Sequence, residues 1–192
     1  MKALDTYYNG LFFRSRLEAR WAVFFDSCGV KYEYEAQGYD LGDDIFYLPD
    51  FLLHDVTFNH AGYSSGNDLY VEVKGNMTED DAIKIKRFAE EKPILVVGEI
   101  FKGENAYRLF EEVDELSSVF DITEFNFELV DGDWFQAVPG VDLDGTFNLF
   151  GGDSTYIASM DEVKTIRAYR NARCARFGQG DIVIEKMKKG LI

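Results

Sequence analysis

The chain has 192 residues, of which 46% are hydrophobic and 29% charged, and its formal net charge is −15. This length and composition exclude a disordered or fibrous chain, and we expect one globular domain over residues 1–192. With two histidines and two cysteines in the chain, a catalytic Ser–His–Asp triad, a histidine-rich metal site and a disulfide framework are all disfavoured, so that catalysis would depend on carboxylates and lysine.

The sequence contains neither a membrane signal nor a secretion signal. No stretch approaches the roughly 20 consecutive apolar residues that a transmembrane helix needs. The residues after Met1 do not form an apolar signal segment with a cleavage site. We therefore expect a cytoplasmic protein that has no membrane partner.

The charge is distributed unevenly along the chain. Residues 1–98 carry 17 acids and 10 bases (net −7), residues 99–161 carry 15 acids and 2 bases (net −13), and residues 162–192 carry 3 acids and 8 bases (net +5). Phosphate binding normally draws on clustered Lys and Arg, so the total charge argues against nucleic acid. Because the acidity is concentrated in the middle segment, this argument does not extend to the two flanking segments.

The first elements follow from the spacing of apolar residues. Ser15 precedes a helical repeat that Gly29 ends, which predicts a helix over residues 14–28. The alternating residues 30–35 predict a first strand, followed by turn residues. Residues 45–53 predict a second strand, in which Pro49 must lie at an edge, a bulge or a bend because it cannot donate to the ladder.

The next elements complete a core over residues 11–98. Residues 54–67 are polar and predict a connection, and residues 69–74 predict a third strand. Thr78 predicts the cap of a helix that runs to residue 91, and the apolar run 93–98 predicts a strand buried on both faces. The order α, β, β, β, α, β predicts an α/β (mixed α+β) fold, in which a mixed central sheet is flanked by helices.

The remaining residues predict two additions to this core. Residues 99–155 combine aromatic residues with many acids and contain turn signals at 131–132 and 144–145, which predicts an acidic, mostly β extension packed on the core. Residues 156–177 predict a long, basic C-terminal helix packed on the core.

The third strand carries the residues that point to chemistry. Alternation places Glu72 and Lys74 on one face, and Val71 and Val73 on the other. If Asp50 opens onto the same face as Glu72, two carboxylates converge on a hard divalent cation such as Mg²⁺. The cation would activate water and neutralise phosphate charge, while Lys74 would orient the water or stabilise the transition state. The pattern therefore predicts a phosphodiester-hydrolysing centre.

Glu18 on the first helix is a fourth candidate. It lies in register with Trp21, Ala22 and Phe25, so its carboxylate borders the apolar stripe of the helix. An unpaired carboxylate there is costly, and a metal, or a water bound to one, would relieve that cost. The alternative interpretation is a capping box with Ser15.

The other candidates also have structural interpretations. Asp50 follows Pro49 and can be a turn residue. Glu72 and Lys74 can form an ordinary ion pair on an exposed strand face.

Arginine recurs at every third position of the predicted last helix. These arginines and Lys164 make this helix the main basic surface of the chain. Both a solvated helix face and a phosphate-tracking surface beside the metal site fit this pattern. The candidate nucleic-acid-binding residues are Arg14, Arg16, Arg20, Lys84, Arg87, Arg167, Arg170, Arg173 and Arg176.

Three motifs carry a resemblance to a known family. They are RSRLEARW at 14–21, LPDF at 48–51 and VEVKG at 71–75, and in this order they resemble the PD-(D/E)XK nuclease superfamily. The likeness is to small phage and prophage nuclease-like proteins and, more distantly, to phage Holliday-junction resolving endonucleases. The resemblance implies a restriction-endonuclease-like core over residues 11–98.

The resemblance also implies roles for individual residues. Asp50, Glu72 and the backbone carbonyl of Val73 would bind Mg²⁺, for which Mn²⁺ can substitute. Lys74 would be the catalytic lysine, and Glu18 an outer or second-metal ligand. We therefore expect a metal-dependent nuclease that hydrolyses nucleic acid, with DNA favoured over RNA as its substrate. We also expect it to be of phage or prophage origin and to act in the host cytoplasm.

Two further expectations concern partners. Resolving enzymes of similar chemistry act as dimers, which makes a homodimer an expectation here. The alternative to an enzyme is a catalytically weak protein of the nuclease fold. Its acidic residues 99–161 would engage a basic partner protein, as a nucleic-acid mimic does.

Overall fold

The computed structural model describes residues 5–60, 63–103, 125–128, 134–150 and 158–179. Within these ranges the protein has the mixed α/β architecture that its sequence predicts. The helices of the described residues are α1 (Arg16–Cys28), α2 (Glu79–Ala89) and α3 (Glu162–Cys174). The strands are β1 (Thr6–Tyr8), β2 (Leu11–Phe13), β3 (Lys31–Tyr34), β4 (Tyr39–Asp40), β5 (Phe46–Tyr47), β6 (Phe51–His60), β7 (Tyr63–Val73), β8 (Ile94–Val97), β9 (Phe125–Glu128), β10 (Trp134–Gln136), β11 (Val138–Val141), β12 (Phe147–Phe150) and β13 (Gly178–Gln179).

A six-stranded mixed sheet forms the centre of the molecule, in the order β10–β9–β8–β7–β6–β3. The pairs β3–β6 and β6–β7 are antiparallel, and the pair β7–β8 is parallel. A parallel pair needs a crossover, and α2 supplies it. The predicted mixed central sheet is therefore confirmed. Strands β9 and β10 of the predicted extension continue the sheet instead of packing on it.

The side chains of β7 and β8 alternate between two cores. Val71 and Leu95 face the larger core, which contains the buried residues of α1 and α3. Ile94 and Val96 face a smaller core that is completed by α2 and β5. The sheet is thus covered on both faces, which agrees with the continuous apolar sequence of β8.

Helix α1 has the N-cap and the C-terminal end that its sequence predicts. Ser15 is the N-cap, and its hydroxyl accepts a hydrogen bond from the backbone N–H of Glu18 at 3.1 Å. Gly29 adopts a left-handed φ of 75°, which lets its N–H close the last turn. The helical residues start at Arg16, two residues later than predicted, because Arg14 and Ser15 belong to the cap.

Residues 54–67 do not form the polar connection that the sequence predicts. Strands β6 and β7 pair from Phe51 opposite Val71 to His60 opposite Tyr63, and so form one long hairpin. The prediction was wrong because Gly, Ser and Asn are typical of loops, whereas hairpin pairing uses backbone groups that every residue except proline has. The register shifts at a bulge where Asp55 has a φ of 54°.

The C-terminal helix is shorter than predicted. Asp161 is the N-cap of α3, and its side chain accepts a hydrogen bond from the Lys164 backbone N–H. Residues 158–160 form a turn and a single bridge between Met160 and Asp142. The helix ends at Cys174, and Gly178 then pairs with β1. The predicted helix was too long because the spacing of apolar residues does not show where a capping side chain sets the start of a helix.

Part of the predicted acidic extension lies outside the described residues, namely 104–124, 129–133 and 151–155. The same holds for residues 156–157 of the predicted C-terminal helix. Within the ranges that are described, no helix is long and apolar enough to cross a membrane.

The described residues contain two short hairpins that the sequence analysis did not predict, and the single strand predicted over residues 45–53 is divided between β5 and β6. Strands β1 and β2 are joined by Asn9 and Gly10, both with positive φ. Strands β4 and β5 form the second hairpin, which packs on α2 and closes the smaller core. This second hairpin forms one side of the site described below.

Candidate active site

Asp50 links the start of β6 to the end of β7 through a side-chain hydrogen bond. It immediately precedes β6, and its side chain is buried, with 5% exposure. Its Oδ2 accepts a hydrogen bond from the backbone N–H of Val73 at 2.7 Å, and its Oδ1 lies 3.3 Å from Arg14 Nη2. The structure thus brings the Pro–Asp motif into direct contact with the Glu–Val–Lys motif.

Glu72 is buried near the end of β7, with 3% exposure. Its Oε1 lies 2.9 Å from Lys74 Nζ, and its Oε2 accepts a hydrogen bond from the Tyr47 hydroxyl at 2.7 Å. Lys74 Nζ also contacts Asp81 Oδ1 on α2 at 3.0 Å. Glu72 and Lys74 therefore do not form the exposed ion pair of the alternative interpretation, because the carboxylate lies beneath β5 and α2.

One cavity of about 330 Å³ brings the predicted catalytic residues together. Its lining includes Glu18, Asp50, Glu72, Val73, Lys74 and Lys84. Arg14 lies at the same cavity, contributed by the residues that precede α1. Side chains from α1, β7 and α2, and from the residue that precedes β6, thus converge where β6 begins and β7 ends.

Burial shapes the electrostatics of this cavity. Burial, reinforced by the charges of Glu72 and Glu18, raises the pKa of Asp50 well above its ordinary value. Burial also raises the pKa of Glu72, although Lys74 opposes the shift. For Lys74, burial lowers the pKa, but the ion pairs with Glu72 and Asp81 outweigh it and raise the pKa overall. Clustered groups with shifted pKa values are typical of functional sites.

Glu18 faces the same cavity from the first turn of α1. Its Oε2 accepts hydrogen bonds from the Tyr34 hydroxyl at 2.5 Å and from the Arg14 backbone N–H at 3.1 Å. A complete capping box would direct this carboxylate to the N–H of Ser15. Only half of the predicted box is present, because Ser15 accepts from Glu18 while Glu18 binds one residue further back.

Arg14 is the cation closest to the buried carboxylates on the α1 side. Its Nη2 lies 2.5 Å from Glu35 Oε1 and 3.3 Å from Asp50 Oδ1. The side chain is more than half exposed, so it can leave Asp50 without disturbing the core. An arginine in this position can exchange a carboxylate for a phosphate oxygen.

The other predicted nucleic-acid-binding residues occupy different places. Lys84 lines the cavity. Arg87 and Arg173 donate to backbone carbonyls, those of Leu41 and Lys102 respectively, and so hold loops in place. The following residues do not line the cavity in the part of the chain that is described: Arg16, Arg20, Arg167, Arg170 and Arg176.

The donor set fits a hard cation that takes few protein ligands. Across the described ranges, no group of three His, Cys, Asp or Glu side chains is arranged to hold a metal ion. Asp50 and Glu72 do present two carboxylates to the cavity. Because Mg²⁺ commonly uses one or two carboxylates and completes its shell with water and substrate phosphate, the chemistry of these two residues fits Mg²⁺ or Mn²⁺.

Two tyrosines complete the site, and the sequence analysis did not single them out. Tyr47 donates to Glu72, and Tyr34 donates to Glu18. Each stands at the end of a short alternating β stretch, which is a weak signal. Which carboxylate each hydroxyl meets depends on how the strands pack.

Comparisons of the chain with protein-family models, with curated proteins and with solved structures found no match.

Proposed function

We propose that the protein is a metal-dependent nuclease of the PD-(D/E)XK type, which hydrolyses phosphodiester bonds in nucleic acid. The observation that carries the proposal is the convergence of Asp50, Glu72 and Lys74 in one cavity, where both carboxylates are buried and the lysine is ion-paired. The order of α1, β3, β6, β7, α2 and β8 agrees with the restriction-endonuclease-like core that the resemblance implies.

Each residue of the site has a separate role in the proposed reaction. Asp50, Glu72 and the backbone carbonyl of Val73 would hold the cation. A bound Mg²⁺ supplies Lewis-acid activation of water and neutralises charge at the phosphate. Lys74 presents a protonated ammonium to the cavity, where it can stabilise the negative charge that develops on the phosphate oxygens. Tyr47 fixes the orientation of the Glu72 carboxylate.

Two cations can position the substrate in this cavity. Arg14 and Lys84 lie at its rim, close to the buried carboxylates. Their contacts would be to phosphate, which positions a strand without reading its sequence. DNA is the favoured substrate because the resemblance points to DNA enzymes. Glu18 remains the proposed outer or second-metal ligand.

A cleavage assay tests this function. The purified protein is incubated with Mg²⁺ or Mn²⁺ and with labelled single-stranded, duplex and branched DNA, and with RNA. Glu72→Gln and Lys74→Met should each lower cleavage by about 100-fold or more, because each removes a charge needed in the transition state. Glu91→Gln and Lys102→Met are matched controls at exposed positions and should cleave like the parent protein.

Two results would contradict the proposal. One is cleavage that survives both Glu72→Gln and Lys74→Met. The other is the absence of cleavage for every substrate with either metal, provided that circular dichroism shows a folded protein.

A further inference from the structure

Phe46 is an exposed aromatic residue at the candidate active site. Its side chain is 68% exposed, although it lines the same cavity as Asp50, Glu72 and Lys74. Its neighbour Tyr47 is buried and donates to Glu72. The alternation of β5 therefore turns one aromatic ring into the core and the next out to solvent at the mouth of the cavity.

The hairpin that carries Phe46 is fastened on both sides. The hydroxyls of Tyr39 and Tyr70 are 2.6 Å apart, which ties β4 to the central sheet. Arg87 Nη2 lies 2.8 Å from Asp43 Oδ2, which ties the hairpin turn to α2. These contacts fix the position of Phe46, although its own ring is mostly exposed to solvent. This large apolar side chain is thus held at the cavity mouth, where a bound ligand can reach it.

The charges around Phe46 limit which ligand fits. Asp40 lies directly opposite Phe46 in the hairpin, and Asp43 and Asp44 follow in its turn. Arg87 neutralises Asp43, but the Asp40 and Asp44 carboxylates repel a second phosphate backbone at this side of the cavity. Stacking of a base on an aromatic ring is different, because it needs no positive charge and tolerates any base.

We propose that Phe46 stacks on an unpaired base, so that the site takes single-stranded or locally unpaired nucleic acid. The adjoining phosphate of the same strand would then face Lys74 and Arg14. The proposal rests on the proposed function and specifies its substrate class. In a paired duplex both faces of each base are covered by neighbours, so the ring of Phe46 would have no base to contact.

Binding is measured separately from cleavage. Fluorescence anisotropy of labelled oligo(dT), oligo(rU) and a duplex is recorded in Ca²⁺ with the parent protein, Phe46→Ala and Phe46→Tyr. Phe46→Ala should weaken binding to the single strands by about 5- to 150-fold, the size of one base–aromatic stack. Phe46→Tyr should restore it. Leu143→Ala, at a side chain that is 66% exposed outside the cavity, should bind like the parent protein.

A second variant reports on the contact itself. In Phe46→Trp, oligo(dT) should quench the new tryptophan fluorescence in a saturable way, whereas an oligonucleotide of abasic sugar phosphates should not. Comparison of oligo(dT) with oligo(rU) shows whether the stacked base comes from DNA or RNA. Weaker binding of either oligonucleotide to Phe46→Ala supports the proposal.

Failure of the inference and failure of the function give different results. Single-strand binding that is unchanged in Phe46→Ala, or a duplex that binds more tightly and depends equally on Phe46, overturns the stacking proposal and leaves cleavage intact. Binding that depends on Phe46 without cleavage of any substrate overturns the nuclease activity alone.

Discussion

Glu72 illustrates how single residues define this centre. Its carboxylate is buried, and it keeps one oxygen on Lys74 and the other on Tyr47. A buried carboxylate without such partners is strongly disfavoured. The same two contacts fix the direction in which the carboxylate presents its oxygens to the cavity. Stability and function therefore depend on the same hydrogen bonds.

Tyr47→Phe tests this dependence. The substitution keeps the ring against Phe88 but removes the hydroxyl that donates to Glu72. We expect the free energy of unfolding to fall by about 1–3 kcal/mol, because a buried charged acceptor loses a donor. Urea denaturation followed by circular dichroism measures the change, with Tyr7→Phe as a control. Equal stability of the parent protein and Tyr47→Phe would contradict the assigned role.

His54 provides a pH-dependent test at a distance from the catalytic groups. Hydrogen bonds to Asp68 and to Glu33 raise its pKa above the ordinary value of 6.5. Because the folded state holds the proton more tightly, this contribution is complete below the unfolded pKa and is lost as the pH rises through the folded pKa.

The stability difference between the parent protein and His54→Gln should therefore be largest in mildly acidic solution and shrink towards alkaline pH. Its size should stay below about 1 kcal/mol, because these ion pairs are partly exposed. Thermal unfolding over a pH series measures it. A difference that grows with pH would show that the ring is not held in its protonated form.

At the scale of elements, the helix ends that depend on contacts within a few residues could be predicted from the sequence. The cap at Ser15, the left-handed residue Gly29 and the capping box of Thr78 with Asp81 define helix ends through contacts within a few residues. The predicted convergence of Asp50 with Glu72 also occurs, because β6 and β7 are neighbours in the sheet.

Other elements depend on signals that were overlooked or that are not local. Asn9–Gly10 is a strong turn signal for the β1–β2 hairpin, because both residues accept positive φ. In contrast, nothing in the sequence around Phe46 and Tyr47 shows which of the two side chains faces Glu72. That choice depends on how the β4–β5 hairpin packs against Phe88 of α2.

Gly29→Ala tests the element boundary of α1. The added Cβ would meet no atom within 4 Å, so its cost comes only from the φ of 75°. We expect a loss of about 1–2 kcal/mol in the free energy of unfolding, the penalty for a left-handed residue with a side chain. Gly38→Ala is the matched control, because Gly38 has no positive φ and its Cβ would lie 3.8 Å from Tyr47 O. Denaturant titration should show no loss for this control, and equal losses would contradict the assigned cause.

At the scale of the whole molecule, a net charge of −15 coexists with a cavity that carries three cations among its described lining residues. The cations that line it are Arg14, Lys74 and Lys84. If these make the phosphate contacts, the logarithm of the single-strand binding constant should fall with the logarithm of salt concentration with a slope no steeper than about −2.

Anisotropy titrations over a salt series measure this slope. A slope of about −4 or steeper corresponds to roughly six phosphate contacts. It would mean that the exposed arginines of α3 take part in binding, as the phosphate-tracking interpretation of Arg167 and Arg170 predicts.

The most direct measurement of the proposed metal centre is an anomalous difference map from crystals soaked in Mn²⁺. Asp50 and Glu72 should bind one ion beside the Val73 carbonyl, with Arg14 released from Asp50, and the peak should vanish in Glu72→Gln crystals. A map without a peak between these two carboxylates, with Arg14 still paired to Asp50, would contradict the assignment of this cavity as a metal-dependent phosphodiesterase centre.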